Sequence, residues 1–282
     1  MEEEQLTLKN DILFKTFFSR KGNEKFLQEF LSALLEMNIT KIEIQRDASL
    51  ERLAVDEKLG VLDIRAVIDN KTIVSIEMQV KDEKNIIKRS GFYGSKEMSA
   101  QVKKKEKYKE IKNVIMVNIL GFNLTKYEEY ISWGIAVLEK HREYELNTGI
   151  KYCYIELPKF RKSKPDMNLK INQWLAFIDY QNRGWVEMSK EKNETIKEAA
   201  EEFEYLTGEE EVKRIAFLHE KWERDYLSAV DDAKEERRSQ TEKLSGKMEA
   251  KLEDAKKMKQ EGIEIELISK ITGITVEEVE KL

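Results

Sequence analysis

The chain has 282 residues and a formal net charge of −5; 40% of its residues are hydrophobic and 37% are charged. This length accommodates one large domain, or one domain with an appendage, and a count of only two prolines favours a globular chain over a disordered one. Because the net charge is negative, bulk charge gives no support for nucleic-acid binding, and any such site must be local.

The cysteine content, the lengths of the apolar runs and the first residues exclude further classes of protein. The single cysteine, Cys153, excludes an internal disulfide framework, is typical of a reducing cytoplasm, and lies in a strand pattern that favours a core residue over a nucleophile. No run of about 18 apolar residues occurs, which predicts no transmembrane helix. The acidic start Met-Glu-Glu-Glu-Gln is unlike a secretory signal. These features predict a cytoplasmic protein without a membrane partner.

The first part of the chain predicts two helices followed by three strands. Asn10 is a suitable N-cap for the first helix, and residues 24–37 carry apolar side chains at helical spacing. Residues 39–44 alternate as a strand, and two further strands are predicted near residues 59–68 and 72–80.

The middle of the chain continues this mixture. Residues 85–108 are polar and predict a helix, whereas residues 113–120 form a continuous apolar run that is typical of a strand buried on both faces. Two more strands are predicted near residues 133–139 and 151–157. The order of helices and strands describes a mixed α/β core.

The last part of the chain is helical in pattern and increasingly charged. Helices are predicted at residues 168–180 and 189–205. The charged run over residues 209–260 predicts a long solvated helix or an oligomerisation arm, because residues 233–243 have no apolar face. Residues 262–282 predict two short helices, either a small hairpin packed on a neighbour, which is favoured, or a helix-turn-helix DNA reader.

The predicted hairpin between residues 59 and 80 places polar side chains on one face of each strand. Side chains alternate along a strand, so Glu77 and Gln79 share a face of the second strand, and Asp63 and Arg65 share a face of the first. Desolvating an unpaired carboxylate is costly, so polar groups on a sheet that packs against a core indicate a functional role.

The length of the hairpin loop decides whether the two polar faces coincide. A two-residue loop would place Asp63 opposite Ile76. A three-residue loop, Asp69-Asn70-Lys71, places Asp63 opposite Glu77 instead. We therefore predict the three-residue loop or an equivalent bulge.

Two carboxylates held close together repel each other unless a cation or a proton lies between them. A divalent cation between Asp63 and Glu77 would suit phosphodiester chemistry. The alternative is a pair of carboxylates bonded to nearby cationic side chains, such as that of Arg65, with Gln79 forming a cross-strand hydrogen bond. The residues alone leave both interpretations open.

The segment after the hairpin is locally basic. Residues 81–112 contain 11 Lys or Arg and 5 Asp or Glu, with aromatic side chains among them. One interpretation is a track for the phosphate backbone of DNA beside the carboxylates; the other is a solvated helix face. The candidate DNA-binding residues are Lys88, Arg89, Tyr93 and Lys96.

Several segments, taken in order, resemble the PD-(D/E)XK nuclease fold and, in more detail, the Rpn family of recombination-promoting nucleases, which are also labelled putative transposases. The resemblance covers most of the chain. It rests on Asn10-Asp11-Ile12-Leu13-Phe14-Lys15, on Leu62-Asp63-Ile64-Arg65 followed by Ile76-Glu77-Met78-Gln79, on the helix pattern with Arg89, Tyr93, Gln101 and Tyr108, on Glu156-Leu157-Pro158-Lys159-Phe160, and on Ile271-Thr272-Gly273-Ile274.

The resemblance implies an α/β fold of the restriction-endonuclease-like type, a mixed sheet flanked by helices with a C-terminal helical extension. It implies a PD-(D/E)XK nuclease-like core over residues 1–160 and a helical elaboration over residues 161–208. Residues 209–282 would form a charged helical tail that ends in a small helical hairpin.

The resemblance also implies a DNA endonuclease that depends on Mg²⁺, or alternatively Mn²⁺, and serves recombination or a mobile element. Asp63 and Glu77 would be metal ligands. Gln79 stands where the wider superfamily usually has lysine; it can orient water but carries no charge. Asp11 would be a further acidic residue at the site, unless it only benefits from the helix dipole. Lys15 would supply the missing positive charge, or would be an ordinary solvated or ion-paired lysine.

A second class of function competes with this one. The absent lysine and the negative net charge also suit a catalytically weak or inactive DNA-binding or interaction module on the same fold. A homo-oligomer formed through the C-terminal tail is compatible with either.

Overall fold

The computed structural model of the chain describes residues 6–45, 64–102 and 107–282, with part of the side chains between residues 211 and 244 left out of the description. The chain divides into two compact units, Met1–Glu220 and Lys221–Leu282. None of the described helices is both long enough and apolar enough to span a bilayer.

A six-stranded mixed sheet lies at the centre of the first unit, and a separate two-stranded ribbon accompanies it in the described part of the chain. The strands are β1 Ile42–Gln45, β2 Ile64–Ile68, β3 Thr72–Gln79, β4 Asn113–Leu120, β5 Ile131–Gly134, β6 Val137–Leu138, β7 His141–Glu145 and β8 Ile150–Glu156. Their order in the large sheet is β1-β2-β3-β4-β8-β5; the central strands β3, β4 and β8 run parallel, and the other neighbouring pairs in this sheet are antiparallel.

Helices cover both faces of this sheet. They are α1 Asp11–Ser19, α2 Glu24–Leu35, α3 Ile86–Ala100, α4 Leu157–Lys162, α5 Lys170–Asp179, α6 Arg183–Lys192, α7 Glu194–Gly208, α8 Glu210–Gln260, α9 Ile265–Thr272 and α10 Val276–Glu280, with a short 3₁₀ turn at Tyr108–Glu110.

The hydrophobic clusters on the two faces of the sheet differ in size. On one face α1, α2, α5 and α7 enclose a large aromatic core that includes Phe17, Trp174 and Phe177. On the other face α3 packs on β4 and β8 over a smaller cluster that includes Val114 and Met116. This arrangement buries β3 and β4 on both faces, which explains the continuous apolar run that predicts β4.

The hairpin has the register that the side-chain alternation predicts. Ile68 pairs with Thr72 and Arg65 pairs with Ser75, so the loop contains the three residues 69–71. Asp69 and Asn70 adopt left-handed conformations, with φ of 46° and 55°. Lys71 is the third residue of the loop and directly precedes β3. The prediction that Asp63 lies opposite Glu77 falls outside the described residues.

Three predicted elements have the wrong extent. The predicted helix over residues 85–108 ends at Ala100, because the Gln101 side chain hydrogen-bonds both backbone groups of Lys112, at 2.8 and 3.0 Å, and turns the chain back towards β4. The predicted strand over residues 133–139 is two short strands, since β5 pairs with β8 and β6 pairs with β7. The predicted helix over residues 189–205 is interrupted at Asn193, whose side chain accepts a hydrogen bond from Thr195 N at 3.0 Å and caps α7.

The second unit ends in the helical hairpin that the sequence predicts. α9 and α10 pack on the end of α8 around the buried residues Ala255, Ile268, Ile274 and Val279. Lys259 Nζ donates to Val279 O at 3.1 Å and ties the hairpin to α8. The long helix α8 itself agrees with the helix predicted from the charged run.

Candidate functional site

The polar side of β3 lies beneath α3. Ser75, Glu77 and Gln79 all point to this face, as the alternation predicts, and their exposed fractions are 4%, 5% and 9%. Glu77 and Gln79 lie near the carboxyl end of β3, beside the carboxyl end of β4, because the two strands run parallel. A carboxylate this deeply buried requires a compensating charge.

Arg89 on α3 compensates the charge of Glu77. Its Nη2 lies 2.7 Å from Glu77 Oε1, and its guanidinium carbon lies 5.9 Å from the centre of the Tyr93 ring. The sequence predicts Arg89 as a DNA-binding residue, and the structure places it in contact with the predicted metal ligand.

Arg65, the cation that the sequence offers as a partner for the carboxylates, pairs elsewhere. Its Nε lies 2.7 Å from Glu97 Oε2, near the other end of α3. Two ion pairs of opposite polarity therefore join α3 to the hairpin, with the arginine on the helix in one and on the strand in the other.

Among the described residues, Gln79 does not form the cross-strand hydrogen bond of the alternative interpretation. Its Nε2 donates to Lys81 O, two residues further along the chain, at 2.9 Å. Its Oε1 is buried and has no hydrogen-bond partner among the described residues. An acceptor oxygen is therefore available on the same face as Glu77.

Asn118 is a site residue that the sequence analysis misses. It is the partner of Glu77 in the β3–β4 register and is fully buried. Its Nδ2 donates to Ser90 Oγ at 3.1 Å and to Cys153 O at 3.2 Å, and its Oδ1 lacks a hydrogen-bond partner within the described parts of the chain. The signal that could have found it is a lone amide inside an otherwise apolar run.

The polar layer extends from Asn118 to β8. Tyr154, the partner of Asn118 in the β4–β8 register, hydrogen-bonds Ser90. Burial raises the pKa of the Tyr154 hydroxyl, although the bond to Ser90 opposes the shift. A row of polar groups thus crosses three parallel strands beneath α3.

Glu156, at the end of β8, belongs to a cluster whose polar groups are bonded to one another. The side chain is fully buried and accepts hydrogen bonds from Leu124 N at 2.6 Å and from Lys159 Nζ at 2.8 Å. Lys159 Nζ also donates to Thr125 Oγ1 at 2.7 Å. These bonds hold the loop after β4, and they give the segment that begins at Glu156 a structural role.

The two candidates from the first helix differ in exposure. Asp11 lies in the first turn of α1, where its Oδ1 accepts a hydrogen bond from Ile12 N at 2.9 Å. Lys15 is 6% exposed on a helix that packs on β2 and β3, so it is not a solvated lysine. Most of the Lys15 side chain is therefore buried within the fold.

The remaining DNA-binding candidates lie along α3. Lys88 and Lys96 are exposed, and Tyr93 is half-buried. Phe92 is 65% exposed beside them. The outer side of the helix therefore combines exposed lysines with an exposed aromatic ring.

The described donor atoms fit a hard divalent cation in chemical type. The Glu77 carboxylate and the amide oxygens of Gln79 and Asn118 are oxygen donors, which Mg²⁺ and Mn²⁺ prefer. Within residues 6–45, 64–102 and 107–282, no three His, Cys, Asp or Glu side chains form a group that could hold a metal ion. Asp63, the second predicted ligand, lies outside these residues.

A mixed sheet flanked by helices, with a buried acidic side chain on the second strand of its hairpin, is consistent with a nuclease-like fold of the PD-(D/E)XK class. Residues 8–233 match the family described as PD-(D/E)XK nuclease family transposase. The chain belongs to this family, because the match spans more than half of its length. No curated protein and no solved structure matches the chain. The match confirms the resemblance to PD-(D/E)XK nucleases and supports a nuclease-type hydrolase.

Proposed function

We propose that the protein is a DNA endonuclease that hydrolyses phosphodiester bonds with Mg²⁺ or Mn²⁺ and serves DNA recombination or a mobile element. Membership of a PD-(D/E)XK nuclease family supports the reaction class. The observation that carries the proposal is Glu77, a carboxylate that is 5% exposed on the hairpin, with the amide of Gln79 on the same face.

Each proposed site residue has a distinct role. Asp63 and Glu77 would hold the cation, which when bound polarises a phosphoryl oxygen and lowers the pKa of a water. Gln79 would orient the attacking water through its buried Oε1, which has no hydrogen-bond partner among the described residues. Lys15, buried on α1, would supply the positive charge that position 79 lacks, and Asp11 would add a further acceptor.

The helix α3 would bind the DNA backbone. Lys88, Arg89 and Lys96 would contact phosphates, and Tyr93 would support Arg89 through its ring. Phosphate contacts of this kind release counterions, so binding should weaken steeply as the salt concentration rises.

Plasmid cleavage tests the proposal. We expect the wild-type protein to nick or linearise supercoiled plasmid with Mg²⁺, and EDTA to stop it. An Asp63→Ala, Glu77→Ala double variant should lose cleavage, and Glu77→Gln alone should slow it at least about 100-fold, since it removes a ligand charge. Glu187→Gln, which changes an exposed glutamate on α6, is the control and should cleave normally. Equal cleavage by the double variant and the wild type would remove this site from the mechanism.

A second function is favoured by one specific observation. Arg89 already neutralises Glu77, and Gln79 adds no charge, so the fold could bind DNA without cutting it. In that case duplex binding would survive EDTA and no strand would be cleaved at any Mg²⁺ or Mn²⁺ concentration.

We also propose that the protein is cytoplasmic and forms a homo-oligomer through its C-terminal helical tail. Leu267 and Ile271 support self-association, because they lie one turn apart on α9 and are 49% and 58% exposed. A cytoplasmic location is supported by the single cysteine, Cys153, which is free and buried.

A further inference from the structure

Arg89 and Glu77 have separate proposed roles, one towards DNA and one towards a cation, yet their side chains bind each other at 2.7 Å. We propose that Arg89 exchanges partners: it neutralises Glu77 in the free protein and transfers to a DNA phosphate when a duplex binds. Cation binding at Glu77 and DNA binding then strengthen each other. This inference rests on the proposed function and adds its regulation.

The two side chains differ in accessibility in the direction that an exchange requires. The Glu77 side chain is 6% exposed, whereas the Arg89 side chain is 26% exposed. A phosphate can therefore approach the guanidinium from solvent while the carboxylate stays buried. The planar guanidinium offers the same forked donors to phosphate as to carboxylate, so the second partner suits it chemically.

The surroundings of Arg89 favour the arrival of a phosphate. Lys81 and Lys88 precede it on exposed positions, before and within the first turn of α3. The N-terminal end of this 15-residue helix adds a favourable field for an anion. Tyr93, one turn later, provides a ring surface 5.9 Å from the guanidinium. A phosphate track along α3 thus leads to the residue that neutralises Glu77.

Coupling follows from competition for one carboxylate. A guanidinium in contact with Glu77 Oε1 repels a divalent cation at the same carboxylate, and the poorly hydrated site weakens the screening. Moving the guanidinium to a phosphate removes that repulsion. By thermodynamic reciprocity, the cation must then raise DNA affinity by the same factor.

The second ion pair between α3 and the hairpin provides a matched comparison. Arg65 and Glu97 also bind at 2.7 Å, and each side chain is 24% exposed. The Glu97 carboxylate is therefore less buried than that of Glu77 and is not a proposed cation ligand. Removing that pair perturbs the same interface without altering the proposed exchange.

The test measures Mn²⁺ binding directly, by the loss of the free-ion EPR signal, with and without a duplex of about 20 base pairs, using the full chain. We expect the wild type to bind Mn²⁺ about 10-fold more tightly with the duplex. Arg89→Gln should bind Mn²⁺ about 10-fold more tightly than the wild type without DNA, and should gain little from the duplex. Glu97→Gln should retain the wild-type affinities and the duplex effect.

Two further variants separate charge from fold. Lys88→Gln should weaken duplex binding but keep the ratio between the two Mn²⁺ affinities. Arg89→Lys preserves the positive charge and can be measured even if Arg89→Gln does not fold. It should keep the weak Mn²⁺ binding that the wild type shows without DNA.

The possible failures are distinguishable. If Glu77→Gln abolishes Mn²⁺ binding while Arg89→Gln leaves both affinities as in the wild type, the exchange of partners is wrong and the metal site stands. If Glu77→Gln leaves Mn²⁺ binding unchanged, the proposed metal site fails and the exchange fails with it.

Discussion

Glu156 and Glu187 each form an ion pair with a lysine three residues later. Because one pair is buried and the other is exposed, the two pairs should contribute differently to the stability of the fold. Glu156 and Lys159 are 0% and 8% exposed and 2.8 Å apart, whereas Glu187 and Lys190 are 63% and 28% exposed and 2.9 Å apart. Breaking a buried pair leaves an uncompensated charge, while an exposed pair is screened by solvent.

We therefore expect Glu156→Gln to lower the free energy of unfolding by about 3 kcal/mol, because Lys159 loses its buried counter-charge. Guanidinium chloride unfolding measures the change, and Glu187→Gln is the matched control that should alter stability little. Equal changes in the free energy of unfolding would show that burial does not make the Glu156–Lys159 pair more stabilising than the Glu187–Lys190 pair.

Cys153 should be chemically silent in the folded protein. The side chain is fully buried, and burial raises the pKa of its thiol, so the reactive thiolate is scarce. We expect a thiol reagent such as DTNB to label almost no protein at pH 8, and one equivalent per chain after unfolding in guanidinium chloride. Rapid labelling of the native chain would contradict the core position of this strand residue.

At the scale of elements, the end of β4 approaches the end of β3 unusually closely. Gly121 follows β4, and its N donates to Gln79 O at 2.9 Å. A Cβ at this position would lie 2.5 Å from Val80 O and 2.8 Å from Val80 Cα, both backbone atoms. The glycine therefore lets the two strand ends meet beside the candidate site.

We expect Gly121→Ala to cost about 1–3 kcal/mol through overpacking, and to lower Tm by about 2–4 °C for each kcal/mol. Gly91→Ala is the control, because it lies within α3 with no atom within 4 Å of its new Cβ. It should instead stabilise the helix by a fraction of a kcal/mol, since alanine has the higher helix propensity. Thermal unfolding followed by circular dichroism compares them, and a neutral Gly121→Ala would contradict the close approach.

At the scale of the whole molecule, the second unit has its own small core, and the first unit extends into α8. Val212 and Ala216 belong to the main core of the first unit, so that core continues beyond the end of α7 at Gly208. A truncation that separates the units should therefore fall after Glu220.

We expect a chain that ends at Glu220 to keep the cooperative unfolding of the sheet and to be monomeric, while the full chain of 33.2 kDa forms a homo-oligomer. Light scattering after size-exclusion chromatography measures both masses. A full-length Leu267→Glu, Ile271→Glu variant is the control for the truncation and should also be monomeric, because charge replaces the exposed apolar pair. Retention of the oligomer by the truncated chain would place the interface elsewhere.

Features that contiguous residues control can be predicted from the amino-acid sequence. Asn10 predicts the start of α1, and its side chain accepts the capping hydrogen bond from Leu13 N at 3.1 Å. Alternation and turn chemistry predict the three-residue hairpin loop and the shared face of Glu77 and Gln79, because register and facing are local properties of a strand pair. Apolar patterning likewise predicts β4.

Contacts between groups that are distant in sequence become visible only in the folded chain. Glu77 binds Arg89 rather than Arg65, and Asn118 lies beside Glu77, because the parallel crossover through α3 sets β4 against β3. Asn193 likewise meets a residue remote in sequence, since its Nδ2 donates to Glu29 Oε2 at 3.1 Å. The periodicity of apolar residues predicts which face of a helix or strand is buried. It does not predict which other element packs against that face, because this depends on the fold of the whole chain.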